Sequence, residues 1–452
     1  MDAQPTGTLG HREEGASHGE AIAGGRGVLG ATAGPRSIGS DSGPSTVPVV
    51  AKALPRSRFA VFGTYYPDFQ FAGNSTTGLV QLLSELPGVT KIDVYCPVGS
   101  ALPSDADPAK VELRPIWRHN DPASLLRALG RLFRASDAYD AIIFNIYVTA
   151  FGRSRLGNVV GLLMPSVLSI ASGRRVLTYM HNFVETQEVE SLGYSPGRAA
   201  RTVAHVLEGI ALRATRVVVP LEGQQRAIRE AFGRTAACVY LPYIEAVHSL
   251  RSMLPGGAPS RFPSSTGGPR VLLFGSWGPQ KDLASVSTAL RDLCQTGSVG
   301  ALTLAGPANA HFPGAEEETH RVVAELDGPA FQRIPFIAEE EIVPLFLEHD
   351  VVILPYRATG GYSGALNCAA LTDIAVVAYD LPQLREQAAR LGYPVRFVPP
   401  GDVGGLRAAI TEACRDSIPR RARPGHEEME ARLARTRRAV GSLLEVADPR
   451  DS

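Results

Sequence analysis

The chain has 452 residues, more than one ordinary hydrophobic core accommodates, and length alone points to two or three domains. With 45 Lys+Arg against 45 Asp+Glu the formal net charge is zero, so composition gives no broad electrostatic reason to bind nucleic acid or an anionic membrane, and any phosphate recognition must be local. Five widely separated cysteines, without CxxC spacing or companion histidines, argue against zinc and against a disulfide framework; the expectation is a reducing, cytoplasmic setting.

Residues 1–55 are rich in Gly, Ala, Ser and Pro with no charged-then-apolar order of a secretory signal, and read as a disordered tail. Folding signals begin at "SRFAVFGTYYPD", an apolar run that ends in glycine and turn residues as a buried parallel strand would. Similar runs at 90–97, 139–147, 174–182, 214–220 and 237–243 alternate with the helical patterns "TTGLVQLLSEL", "DPASLLRALGRLFRA", "RTVAHVLEGIALRA" and "LEGQQRAIREAF". The most apolar stretch, 156–173, is interrupted by Pro165 and falls short of the ~20 residues a bilayer crossing needs; it reads as a buried helix, with membrane contact at most peripheral. Alternation of this kind builds a parallel sheet covered on both faces.

The Pro-, Gly- and Ser-rich segment 252–269 reads as a linker, and a second alternating series follows it. Its strands are "RVLLFGSW", "VGALTLAGP", "FQRIPFI", "HDVVILPYR", "DIAVVAYD" and "YPVRFVPPGD". The expected architecture is α/β: two doubly wound, Rossmann-like domains, 56–251 and 270–425, facing a cleft, followed by a charged amphipathic helix and tail over 426–452.

Two turns in the second half carry the chemistry. "GSWGPQKDL" supplies Gly275, the Ser276 hydroxyl and Lys281, the only lysine after Lys110. "LPYRATGGYSGALNCAAL" runs through Arg357 and Gly361 to a helix opening at Ser363 or Gly364, whose free amides and dipole favour an anion. Arg357 adds a fork of donors for an oxyanion. Together they make a diphosphate cradle that needs no metal, although a solvated turn lysine, ordinary turn glycines and a surface ion pair for Arg357 are the plain alternatives.

From Arg270 to about Glu386 the chain resembles the nucleotide-sugar-binding domain of GT-B glycosyltransferases, especially the GT4-like group, through "VLLFGSWGPQKDL", "LTLAGP", "IPFIAEEEIVPLFLEHDVVILPY" and "SGALNCAALTDIAVVAYDLPQLRE". The first half resembles the family more loosely, through "YYPDFQFAGNSTTGLVQLLSEL" and "TYMHNF". The resemblance implies a metal-independent, retaining transfer of sugar from a nucleoside-diphosphate donor, with no cofactor, to a sugar, lipid-linked or small-molecule acceptor. It puts Lys281 on the family's phosphate-binding lysine, with Arg357 and His181 as further catalytic residues. Donor contacts are implied for Gly275, Ser276, Gly306, Phe336, Ile337, Glu341, Gly361, Tyr362, Ser363, Gly364 and Asn367. Asp68, Gly73, Asn74, His181 and Asn182 are expected on the acceptor side, with Glu185 as a reserve acid or base. Ser276 replaces the family's usual arginine, and Gly360 and Cys368 stand where many relatives carry two glutamates. An epimerase or hydrolase of the same architecture, and a catalytically degenerate partner subunit, are the rival readings.

Overall fold

The computed structural model describes residues 56–67, 71–148, 150–152, 154–173, 175–182, 197–253, 267–309, 312, 314–328, 330–359, 361–417 and 422–447. The expected tail over 1–55, most of the linker and residues 448–452 lie outside them, as do Asp68, Glu185 and Gly360.

The first series of apolar runs forms a seven-stranded sheet: β1 (Ser57–Phe62), β2 (Val89–Pro97), β3 (Val111–Trp117), β4 (Ala141–Ile146), β5 (Val176–Met180), β6 (Arg216–Val219) and β7 (Ala237–Cys238). The second forms six: β8 (Arg270–Phe274), β9 (Ala301–Ala305), β10 (Phe331–Ile334), β11 (Val351–Leu354), β12 (Ala375–Tyr379) and β13 (Arg396–Val398). The orders are β3-β2-β1-β4-β5-β6-β7 and β10-β9-β8-β11-β12-β13, with every neighbouring pair parallel. Each sheet reverses its winding beside its first strand, where an open α/β sheet leaves a crevice at the strands' carboxyl ends. The expected β7 shrinks to two residues, because Pro242 follows and Tyr243 turns left-handed at φ 63°.

The helices between strands are α1 (Phe71–Glu85), α2 (Pro122–Ala135), α3 (Arg155–Ser172), α4 (Arg198–Ala214), α5 (Glu222–Phe232) and α6 (Val247–Ser252) in the first half. In the second half come α7 (Leu283–Gln295), α8 (Ala315–Leu326), α9 (Ile342–Leu347), α10 (Gly364–Thr372), α11 (Pro382–Leu391), α12 (Val403–Asp416) and α13 (His426–Ala447). α2 shows why such segments form: Asp121 caps it by accepting from the Ser124 amide, Pro122 opens it, and Leu125, Ala128 and Leu132 line its buried stripe. β3, α6 and α12 had not been expected; Pro115 is tolerated in β3 because β3 is an edge strand.

α2, α3 and α4 cover one face of the first sheet, over Phe62, Trp117, Phe144 and Phe151. On the other face α1, α6 and α13 meet α9 and α10, and a single hydrophobic cluster runs from Leu79 and Leu83 through Ile244 to Phe346 and Leu366. The two sheets thus belong to one compact unit over Ala51–Ser452. α13 is more than a solvated helix: Leu433 and Leu443 are fully buried, each worth about 1.5–3 kcal/mol, and it returns to pack on α1 and β6. α3 departs from its expected burial. Its sheet-facing side is buried, but Leu156, Val167 and Ile170 on the other side are exposed.

Candidate functional site

β8 ends at Phe274 and the chain turns away through Gly275. A Cβ on Gly306, at the end of β9, would lie 2.2 Å from the Gly275 carbonyl oxygen, and its φ is 107°; only glycine lets these two turns touch. Under the turn the Trp277 indole is fully buried and donates to Ala305 O at 3.2 Å. Lys281 forms a bridge with Tyr356, and its ammonium donates to Phe274 O at 2.8 Å. Nζ also lies 4.3 Å from the Trp277 ring centre and 5.1 Å from that of Tyr356. Among the described residues no carboxylate pairs with this ammonium, and burial lowers its pKa to about 7. Lys281 is therefore tucked beneath the turn, only 4% exposed, which sets aside the plain alternative of a solvated turn lysine.

The carboxylate that follows Lys281 in the chain is already engaged. Asp282 caps α7 through the Ser285 amide, accepts from Tyr379 and takes the Arg357 guanidinium at 2.7 Å. Arg357 is thus half-exposed in an ion pair, and its expected role as a fork for an oxyanion gives way to that partner. Ser276 stands exposed on the tip of the turn.

The opening of α10 faces Lys281 across Tyr356. The Tyr356 hydroxyl lies 3.2 Å from Ser363 Oγ, which also caps the Leu366 amide. The Ser363 amide, expected to be free for an anion, donates instead to Gln387 Oε1 at 2.7 Å. The next two, on Gly364 and Ala365, have no acceptor among the described residues, as expected of a helix's first turn.

Asn367 requires a second correction. It is fully buried, its Nδ2 donating to Glu245 Oε2 at 2.9 Å and its Oδ1 accepting from Tyr240 and, at 2.9 Å, from Gln387. A donor contact is replaced by a network that ties the halves together, because Tyr240 and Glu245 come from the first and Asn367 and Gln387 from the second. Burial pushes the Glu245 carboxyl up to about 7 despite hydrogen bonds from Tyr362 and Asn367. Cys368 is buried beside it, its thiol pKa raised by burial.

Gly361 brings the two halves closest. A Cβ there would sit 2.4 Å from His181 O, a carbonyl that already accepts from Gln224 Nε2 at 2.8 Å. The His181 ring stacks on Tyr147 at 4.4 Å and lies 5.6 Å from Tyr362. Its Nε2 is 2.8 Å from Asn145 Oδ1, and Asn145 Nδ2 donates to Ser75 and Thr76, which fixes the amide's orientation. Nε2 is accordingly the protonated nitrogen, and Nδ1 keeps a lone pair with no partner among the described residues, in a buried setting. Burial lowers the His181 pKa to about 3, so the ring stays neutral near pH 7 and is a weak base there.

Asn182 Oδ1 accepts from the Val148 amide at 3.0 Å. Gly73 and Asn74 fall in the first turn of α1; their side chains, like Asp68, lie outside the described residues. Phe336 is 49% exposed, Ile337 is half-buried, and Glu341 Oε2 accepts from the Ala338 amide at 3.3 Å. Sequence reasoning missed Trp277, Tyr356, Asn145, Glu245 and Gln387. The signal for Asn145 was available: a lone amide inside the apolar run "AIIFNI" must find buried partners.

No protein-family model and no curated protein matches the sequence. Solved structures do. HepE from Anabaena in complex with UDP is 15% identical with a TM-score of 0.52, over 86% of this chain and 97% of that one. Sucrose-phosphate synthase from Thermosynechococcus elongatus is 14% identical, TM-score 0.57, over 87% and 96%. A Listeria monocytogenes protein assigned as a UDP-N-acetylglucosamine 2-epimerase is 11% identical, TM-score 0.52, over 80% and 89%. At such identities the likeness establishes the fold: two doubly wound domains facing a cleft, the GT-B architecture.

Proposed function

We propose that the protein is a glycosyltransferase of the GT4-like kind, moving a sugar from a nucleoside-diphosphate donor to an acceptor held by the first half. One observation carries the reading: a buried ammonium with no carboxylate partner among the described residues, Lys281, shares Tyr356 with the first turn of α10. A cation kept out of water without a counter-charge is costly unless an anionic ligand supplies one. A leaving diphosphate is such a ligand, and donors fixed in advance stabilise the charge that builds on it. Gly364 and Ala365 would supply amides, Ser276 its exposed hydroxyl, and the Gly275 and Gly306 turns close backbone approach.

Opposite them, the Nδ1 lone pair of His181 would accept a hydrogen bond from a sugar hydroxyl, which orients without taking the proton. A neutral, weakly basic histidine suits retention, where no strong base has to activate the acceptor. That HepE was solved with UDP supports a uridine donor as the first to try.

Calorimetric titration with UDP and a panel of UDP-, GDP- and dTDP-sugars tests the reading. Binding of at least one nucleotide is expected, weakened by roughly 1.5–3 kcal/mol in Lys281→Met, as for a charged hydrogen bond. Unchanged affinity in that variant removes the diphosphate role. Donor turnover without acceptor would favour the epimerase or hydrolase reading, and the product anomer by NMR decides retention.

A further inference from the structure

We propose that the outer face of α2, α3 and α4 docks on an anionic lipid bilayer. This does not rest on the sugar-transfer reading, since the face lies on the first sheet's far side from the second half. Ten large apolar side chains are exposed among the described residues, and eight of them sit on these three helices. They fall in helical stripes. On α3, Leu156, Val167 and Ile170 continue a line through the half-buried Val160 and Leu163. On α4, Val203, Val206 and Ile210 repeat at three- and four-residue spacing, and on α2 Leu126 and Phe133 stand two turns apart. A helix normally turns such a stripe inward; here each helix also carries a buried stripe against the sheet. Among the described residues α3 is the one helix long and apolar enough to span a membrane by length and composition, yet it lies packed between α2 and α4.

The charge on this face identifies the occupant. The three helices contain seven arginines and one acidic residue, Glu208, which is 1% exposed. A chain of zero net charge has therefore gathered a one-signed patch here. Arg127, Arg131 and Arg134 on α2, Arg155 on α3 and Arg201 on α4 are exposed, and Arg127 lies 3.6 Å from the Asp121 carboxylate. A second copy of the chain would oppose arginine to arginine across a two-fold axis. A lipid surface takes apolar tips at the acyl boundary while guanidinium groups reach up to the phosphates.

Flotation of the full chain with vesicles decides it, using phosphatidylcholine alone or phosphatidylcholine with about a third phosphatidylglycerol. The protein is expected to float with the anionic vesicles only, and partitioning should fall about tenfold at high salt. The Ile170→Glu/Val206→Glu variant should lose at least about tenfold in partitioning and the Arg131→Ala/Arg134→Ala variant several-fold, both with unchanged thermal midpoints. If the glutamate variant unfolds, the alanine variant carries the test alone. No flotation, equal flotation with neutral vesicles, or wild-type flotation of a folded variant overturns the proposal. So does a dimer that Ile170→Glu dissociates, or binding to polyglutamate as strong as to anionic vesicles.

Discussion

Lys281 carries its charge into surroundings where the described residues offer a carbonyl and two aromatic rings but no anion. The consequence can be read in stability. An ordinary lysine titrates near 10.5 and this one near 7, so between those values the unfolded chain holds a proton that the folded chain has lost. Stability tied to this group therefore rises with pH across that window, and below about 7 the whole cost of the buried charge is present. Lys281→Met keeps the length and removes the charge. It should raise stability at pH 6 by about 1–2 kcal/mol, at about 1.4 kcal/mol per pKa unit less the lost ring contacts, and the gain should shrink toward pH 10. Chemical denaturation of both forms at the two pH values checks this; a variant less stable at pH 6 would mean the ammonium is well solvated. The sequence singled this lysine out as the lone one in a glycine-rich turn, but gave no sign of Trp277 and Tyr356 closing over it. Partners that converge from separate loops leave no spacing to read.

At the scale of the element, α10 shows both what patterning reveals and what it hides. "GALNCAALT" was read as a helix, and the helix spans Gly364–Thr372 because Ser363 caps it and Asp373 ends it with φ 53°. Which side of it meets ligand was not legible. Every residue of α10 is buried, so no amphipathic stripe tells one face from another, and Asn367 points at Glu245 and Tyr240. Asn367→Ala should accordingly destabilise the fold by about 2–4 kcal/mol, since it removes one buried hydrogen bond each from the Glu245 carboxyl, the Tyr240 hydroxyl and the Gln387 amide. Nucleotide affinity should change little at temperatures where the variant stays folded. Thermal unfolding and titration on the same sample separate the two, and lost affinity with intact stability would return Asn367 to the donor site. α3 fails in the opposite sense. Its composition is apolar all round and reads as buried, but composition cannot report that the sheet covers one side only.

For the whole molecule, the two halves are joined by groups whose protonation lies near neutrality. Glu245, pushed up to about 7, holds a proton in the fold that the unfolded chain gives up from 4.5, so its contribution to stability declines as pH rises across that interval. His248 is 1% exposed, with Nδ1 2.8 Å from Asp105 of the first half and Nε2 3.3 Å from Glu340 of the second. Gln81, Ser252 and Tyr66 complete its surroundings. Burial by itself would lower its pKa, but the hydrogen bond it donates to Asp105 and the charges of Glu339 and Asp105, with the hydrogen bond to Glu340, outweigh it and leave the pKa raised above 6.5. The stability His248 adds is complete below 6.5 and disappears as pH climbs past its folded pKa, whereas Lys281 begins to contribute in the other direction from about 7. His248→Gln isolates the joint, because the amide still hydrogen-bonds but holds no charge. At pH 6 the variant should be less stable than the natural protein, and the gap should close as pH climbs past the folded pKa of His248. Denaturation midpoints at several pH values measure this. Parallel curves, with the same gap at both ends, would show that His248 bridges the halves as a neutral ring and that its proton has no part in holding them together.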